Sequence, residues 1–383
     1  MADGEISLRE GIRDLGRDGF IAKLHQEAPI YRDAAGFWVA SRFDDVRAIL
    51  LDHAGFSSKA MAGLAMGAGF PLLTDDPPRH SMLRGLLAKA FTPASMEAMR
   101  PAIERLAVQL AAAIPAGQEI DVVEAITAPL PVAVIAGMMG VPQDQARDFK
   151  RWSHAIVGIQ ESPFDPARFA AIAELRGYFA GLAAERRAAP GEDLVSALTA
   201  VGDASETLSD QQVVGFCVLL MIAGNETTTN LLGNLISRLA RQPEAWLDLR
   251  ADPALIEAAI EESLRLDSPA QMVTRVATAD AEIGPARIKA GDMVMVYLAS
   301  ANRDPARWDD AARFALQRER ERHLAFGHGV HTCIGAPLAR MEAKAAMQAL
   351  VARFGSIERG EGKAERLRGG LLHGFRHLPV VFA

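Results

Sequence analysis

Apolar residues recur every three or four positions through most of this chain, the spacing that lines up one face of an α-helix. After Thr92-Pro93, the stripe Met96, Met99, Ile103, Leu106 and Leu110 predicts a helix running to about Ile114. A second helix is expected to begin at Pro142-Gln143 and carry Phe149, Trp152, Ile156 and Ile159. Asp165-Pro166 opens a third through Phe169, Ile172, Leu175, Phe179 and Leu182, broken by Ala189-Pro190-Gly191. Val214, Cys217, Leu220 and Met221 predict one buried stripe on a long helix over 211–239, and Ile256, Ile260 and Leu264 predict another helix over 254–266. Strand signals are fewer: GFWVAS at 36–41, the MVMVY run inside 286–298, and LPVVF at 378–382. Strands are therefore expected near the N-terminus, after residue 270 and at the very end, with helices filling the middle. No repeat, low-complexity tract or linker breaks the pattern, so residues 1–383 read as a single domain, mainly α with a small β region.

Charge and apolar run length narrow the classes of function. The 41 Lys and Arg against 48 Asp and Glu leave a net charge of −7, and an acidic chain lacks the basic footprint that nucleic-acid phosphates need. The longest apolar stretches, 213–224 and the proline-interrupted 128–141, fall short of the roughly 18 residues of a membrane span. Residues 1–9 are polar and lack a signal peptide's apolar core. Cys217 and Cys333 are the two cysteines, too few for a disulfide framework. A cytoplasmic protein with reduced thiols, bound to no membrane, is the expectation.

The segment FGHGVHTCIG at 326–335 concentrates the chemistry. Its glycines make a tightly bent loop whose backbone can approach a flat or bulky ligand. Cys333 follows, and a helix is expected beyond it with Leu338, Met341, Ala345 and Leu350 on one face. A thiolate just ahead of a helix is favoured by the dipole and by free N–H groups. Three readings compete: an inert cysteine, a zinc site with His328 and His331 that lacks a fourth ligand, or a reactive thiolate, either a nucleophile or an axial ligand to haem iron.

The string resembles the haem-binding loop of the cytochrome P-450 family, with Phe326, Gly329, Cys333 and Gly335 in the family's places. The resemblance implies that Cys333 is the proximal iron ligand, that Phe326 packs beside the sulfur, and that Gly327 and Gly335 help shape the haem contact. Glu262 and Arg265, three apart on the 254–266 helix, are alone an ordinary surface pair. They are similar to the family's E-x-x-R, a structural buttress of the haem loop, and Arg318 stands where the family places a third partner, with Ala315 in place of an aspartate. Ala223-Gly-Asn-Glu-Thr-Thr-Thr229 reads by itself as a helix emerging into solvent, or as threonines bonding back and locally opening the helix. It resembles the family's A-G-x-[DE]-T stretch, which implies that Thr227 contacts dioxygen, Glu226 belongs to the proton-delivery chain, and Ala223 and Gly224 leave room for oxygen and substrate. His80, Arg84, Arg275 and His331 match the family's haem-propionate contacts. Ala301-Asn-Arg-Asp-Pro305 and Leu378-Pro-Val380 are further matches, and the resemblance runs from about Gly36 to the C-terminus.

The implied fold is that of a cytochrome P-450, and the implied cofactor is haem b. The implied activity is insertion of one atom of O2 into a C–H bond, the thiolate favouring O–O cleavage. No G-x-G-x-x-G dinucleotide fingerprint appears, so a separate ferredoxin and ferredoxin reductase are the expected electron source for a monomeric enzyme. Arg318, Arg320, Arg322, Arg340 and Lys344 flank the cysteine loop, either as a docking patch for an acidic ferredoxin or as ordinary surface charge. A peroxide-driven peroxygenase is the alternative enzyme, and a haem-binding sensor the alternative outside catalysis. The resemblance lines the substrate pocket with Ala223, Met272, Val273, Leu371, Leu372 and the glycine-rich stretch Met61 to Phe70, which reads as a mobile roof. These residues are apolar and carry no anchor for a carboxylate, so a neutral terpenoid, steroid or aromatic compound is expected.

Overall fold

The computed structural model describes residues 7–59, 70–88, 91–142, 145, 148–149, 151–152, 166–200, 208–319, 321–368 and 370–383, without the side chain of Arg168. The chain folds as two compact units. Unit 1 gathers residues 1–81, 261–333 and 370–373, and unit 2 gathers 82–260, 334–369 and 374–383. Neither is a continuous stretch, which is why no linker is visible along the sequence.

Unit 1 holds most of the strand residues. Its five-stranded sheet runs, in spatial order, Ile30–Arg32, Trp38–Ala40, Met293–Val296, Val273–Ala277 and Phe56–Ser57. Trp38–Ala40 pairs parallel with Met293–Val296, Trp38 opposite Val294 and Ala40 opposite Val296, and the indole Nε1 of Trp38 donates to Asp292 Oδ2 at 2.9 Å. Two of these strands answer the GFWVAS and MVMVY runs. Val273–Ala277, which lies between two partners, gave too little alternation to be seen, because both of its faces are largely covered. One side of the sheet packs Trp38, Phe43, Ile49, Phe56, Val294 and Val296. A second apolar cluster joins Phe20, Leu24, Tyr31 and Met272 to Tyr297.

Unit 2 is mainly helical. Thr92 caps the helix Pro93–Ala113 by accepting from Ser95 N at 3.1 Å. The face it buries is Met96, Ile103, Ala107 and Ala111, with Met99, Leu106 and Leu110 half-buried beside it. Alanines on that face bring the neighbouring helix Ala336–Arg353 close, a contribution that a count of large apolar residues misses. Pro166–Ala188 ends where Pro190-Gly191 predicts, although Phe169 lies exposed and Ala171, Leu175, Phe179 and Leu182 form its buried face. Of the helix expected from Pro142, Phe149 and Trp152 are described and buried; Gln143, Ile156 and Ile159 lie outside the described residues, as does Asp165. The C-terminal strand Pro379–Phe382 is central in a three-stranded sheet between Glu119–Asp121 and Ile357–Arg359. Glu119–Asp121 corrects the expectation that helices alone fill the middle of the chain; a three-residue edge strand has no room to show a period.

Glu342, on the Ala336–Arg353 helix, is 1% exposed, and its Oε2 has no hydrogen-bond partner among the described residues. Burial pushes its carboxyl well above the ordinary value of 4.5. The folded protein therefore keeps a proton that the unfolded chain releases above that value, so this group costs increasing stability as pH rises. Glu342→Gln is expected to raise the thermal midpoint by a few degrees at about pH 8 and to change it little at about pH 5. An equal shift at both pH values would show that ionisation is not the cost. Among the described residues, no helix is long and apolar enough to cross a membrane.

Candidate functional site

The cysteine loop closes on itself within unit 1. Cys333 N donates to Phe326 O at 2.9 Å, while the backbone and hydroxyl of Thr332 both donate to Gly329 O, at 3.1 and 2.8 Å. Gly329 has φ 72°, and a Cβ there would stand 2.6 Å from Leu50 O, so this position needs glycine for both conformation and close approach to the helix Phe43–Leu51. The result is a loop with Cys333 exposed at its end and Phe326 half-buried. No three His, Cys, Asp or Glu side chains among the described residues form a metal-holding group, so His328, His331 and Cys333 do not make the zinc site that their spacing left open.

Behind this loop stands a buried charge network that the helical spacing alone misjudges. Glu262 and Arg265 are 5% and 2% exposed rather than solvated. Arg265 Nε and Nη2 donate to the two carboxylate oxygens of Glu262 at 2.8 and 2.9 Å, a bidentate pair. Arg265 also donates to Asn302 O, Ala311 O and Arg313 O. Arg318 completes the group, its Nε 3.0 Å from Glu262 Oε1. Ala315 contributes through its backbone N–H, also 3.0 Å from Glu262 Oε1, so no aspartate side chain is needed for Arg318 to reach the carboxylate. Asn302 carries the network onward by accepting from Leu324 N at 2.6 Å, two residues before Phe326. That bond gives the Asn302-Arg303-Asp304-Pro305 motif its physical role.

In unit 2, the helix Asp210–Leu239 starts at a capping box between Ser209 and Gln212. It is buried on nearly every side, not along one stripe, and neither emerges into solvent nor breaks. Thr227 Oγ1 donates to Ala223 O at 2.7 Å, the expected back-bond, yet the helical backbone continues through it. Glu226 is buried, and desolvation lifts its carboxyl to about 8. Gly224 serves helix packing: a Cβ there would lie 2.7 Å from Ile135 Cδ1 of the Pro129–Met138 helix. Ala223 is exposed on this unit. Cys217 is fully buried, its thiol pushed up to about 12, in keeping with packing.

A polar cluster in unit 1 gathers several of the predicted cofactor residues. His80 is buried, with its ring centroid 4.2 Å from that of His331. Ser58 Oγ lies 3.0 Å from His331 Nε2, and Asp76 holds the serine pair by accepting from Ser57 Oγ and Ser58 N at 2.5 and 2.9 Å. Strand pairing of Ser57 with Val276 brings this segment beside Arg275. Arg275 is 6% exposed, and burial lowers its guanidinium to about 10 against the opposing pull of Asp76. Ser57, Ser58 and Asp76 carry no signal in the sequence beyond being small or acidic near a short strand. Arg84 is half-buried on unit 2, one turn after His80 on the helix Arg79–Ala88.

The expected substrate residues fall into distinct settings. Gln271 N donates to Leu371 O at 2.9 Å and Ala270 bridges Leu372, which joins segments a hundred residues apart. Leu371 is exposed and Leu372 half-buried, whereas Met272 belongs to the apolar core beside Phe20 and Tyr297, and Val273 packs partly against the sheet core. The stretch from Met61 lies outside the described residues apart from Phe70. Of the basic residues near the loop, Arg318 turns inward to Glu262, Lys344 pairs with Glu257 at 2.6 Å, and Arg320 lies outside the described residues.

Comparison with known proteins gives the same picture from outside. Residues 168–372 match the family description "Cytochrome P450". The chain is 37% identical to erythromycin C-12 hydroxylase of Saccharopolyspora erythraea over 94% of its own length and 93% of the relative's. Among solved structures, cytochrome P450 CYP109Q5 from Chondromyces apiculatus superposes with TM-score 0.89 at 36% identity, covering 97% of this chain and 96% of that one. CYP109E1 from Bacillus megaterium in complex with testosterone superposes with TM-score 0.86 at 34% identity, covering 94% and 98%.

Proposed function

The chain belongs to the cytochrome P450 family and is a monooxygenase of that family; on this premise we propose that it hydroxylates a neutral hydrophobic small molecule, using O2 and electrons from a separate ferredoxin and its reductase. The family's cofactor is haem, and the residues present fit it. Arg275, buried and lowered to about 10, makes its guanidinium hydrogen bond among the described residues to Thr274 O at 2.9 Å, and it would gain from a carboxylate partner such as a propionate. In the proposal, Cys333 ligates the iron of haem b, Phe326, Gly327 and Gly335 shape the contact beside the sulfur, and His80, Arg84, Arg275 and His331 hold the propionates. When bound, haem supplies the oxidising chemistry.

The chain's own residues bind, orient and supply protons. The observation that carries the dioxygen-driven reading is buried Glu226 directly beside Thr227. With its carboxyl at about 8, Glu226 is a neutral acid at pH 7 and can release a proton, while the Thr227 hydroxyl can turn from Ala223 O to pass it on. A sensor has no use for such a pair. Leu371 and Leu372, with Ala223, Met272 and Val273, are the residues proposed to offer apolar surface to the substrate. Arg340 and Lys344, four apart on the helix Ala336–Arg353, are proposed to meet the acidic ferredoxin.

An optical titration of the ferric protein with neutral polycyclic and aromatic compounds tests the reading. Testosterone, bound in the related Bacillus megaterium structure, comes first. The expected result is a Soret shift toward the high-spin position, followed by hydroxylated product with ferredoxin, reductase and O2. Product formed with hydrogen peroxide and none with the reducing system would replace it by the peroxygenase. A haem spectrum that no neutral compound moves would overturn the substrate class.

A further inference from the structure

We propose that Asp267 is a positioning residue for the substrate-side segment 370–373, and that the N-terminal helix Leu8–Glu27 shares in holding that segment through Arg17. The inference rests on the reading that Leu371 and Leu372 face the substrate. All of the residues concerned lie in unit 1. Asp267, just past the helix Leu255–Leu266, has a side chain 3% exposed. Its Oδ1 lies 2.7 Å from Arg17 Nη2, 3.5 Å from Arg303 Nη2 and 3.8 Å from His373 Nε2. Arg303 is itself held, with Nε donating to Leu266 O at 2.7 Å and Nη1 paired with Asp18 at 2.8 Å. Gly16 interrupts the N-terminal helix with φ 68°, a conformation suited to glycine, immediately before Arg17 and Asp18.

Three chain-distant segments thus meet on one buried carboxylate: the N-terminal helix, the turn at Arg303, and the segment at His373. The segment is held to its neighbour by short main-chain pairing. Its backbone makes the Ala270–Leu372 bridge, the Gln271 to Leu371 bond and a 2.8 Å bond from His373 N to Pro269 O. A two-stranded pairing this short is marginal in water, and Leu371 is 44% exposed, so apolar burial does not anchor it. The contact between His373 and Asp267 locates the end of the pairing, and two guanidiniums locate Asp267. Lateral placement of Leu371 and Leu372, and with it the space left for a ligand, follows from that carboxylate.

The test compares the haem-loaded wild type with Asp267→Asn, His373→Gln and Arg17→Gln, each first shown to carry a full complement of haem. Amide hydrogen exchange is followed at 370–373, and the affinity for 4-phenylimidazole, a haem-directed azole, is measured optically. The expected result is exchange at 370–373 at least about tenfold faster in Asp267→Asn and His373→Gln and a smaller gain in Arg17→Gln, with amides of 336–353 unchanged. A severalfold change in azole affinity should accompany it. Unchanged exchange at 370–373 in haem-loaded Asp267→Asn or His373→Gln would overturn the positioning role. Faster exchange with identical azole affinity would instead overturn the assignment of Leu371 and Leu372 to the substrate side. His373→Gln removes the imidazole that faces Asp267 and leaves Asp267 paired with Arg17, so the test survives if Asp267→Asn does not fold.

Discussion

Arg265→Ala should cost unit 1 about 3–5 kcal/mol, the scale for breaking one side of a buried ion pair. The loss has three sources. Both oxygens of Glu262, 5% exposed, lose their bidentate partner. The carbonyls of Asn302, Ala311 and Arg313 lose a donor. Asn302, whose side chain accepts from Leu324 N, is then free to shift the chain just ahead of the cysteine loop. Against a total stability of roughly 5–15 kcal/mol for an ordinary domain, such a loss leaves little margin, and the variant should be recovered with little haem. Arg318→Ala is the informative comparison. Its guanidinium is 13% exposed, and removing it leaves Glu262 paired with Arg265, so urea unfolding should show a loss less than half as large. Equal losses for the two variants would contradict the hierarchy that these distances imply.

Glu226→Gln should lower product formation by about a hundredfold, the lower range for removing a positioned acid or base, while substrate affinity and haem content stay as they were. Glutamine keeps the shape and a hydrogen-bonding end but has no proton to release. Electrons should still be consumed, and the fraction recovered as hydrogen peroxide should rise. The pH profile separates this role from a merely structural one. Burial holds the carboxyl at about 8, so the wild type carries the acid form below that value and loses it above. Turnover should therefore fall as pH rises through about 8, and the variant's residual rate should lack that limb. A variant with wild-type turnover and the same alkaline limb would remove Glu226 from the proton path.

What the sequence made legible follows from how local each signal is. The cysteine loop was readable because its constraints are local: Gly329 needs a positive φ and closeness to Leu50, and both demands fall on one residue. The long helices were readable because 3.6-residue periodicity repeats over many turns, and the C-terminal strand because its apolar run is uninterrupted. Glu262 and Arg265 were legible as a pair but not as a buried one, since burial is decided by Asn302, Ala311 and Arg313, some forty residues away. Ser57, Ser58 and Asp76 were invisible as a group for the same reason: what assembles them around His331 is strand pairing with residue 276. Met272, just ahead of the strand Val273–Ala277, joins an apolar cluster with Phe20, Leu24 and Tyr297 that is drawn from distant parts of the chain and so could not be read from local spacing.

Backbone hydrogen bonds do not read side chains. The segment carrying Leu371 and Leu372 pairs with residues 269–271 through main-chain groups, so most residues could replace either leucine without breaking those bonds. In an evolving lineage, or in laboratory selection, these two positions are open to drift: the main-chain pairing puts little tax on substitutions there. If these leucines face the substrate as proposed, new substrate preferences are reachable by single steps at 371 and 372, whereas changes at Asp267 or Glu262 must first be compensated elsewhere.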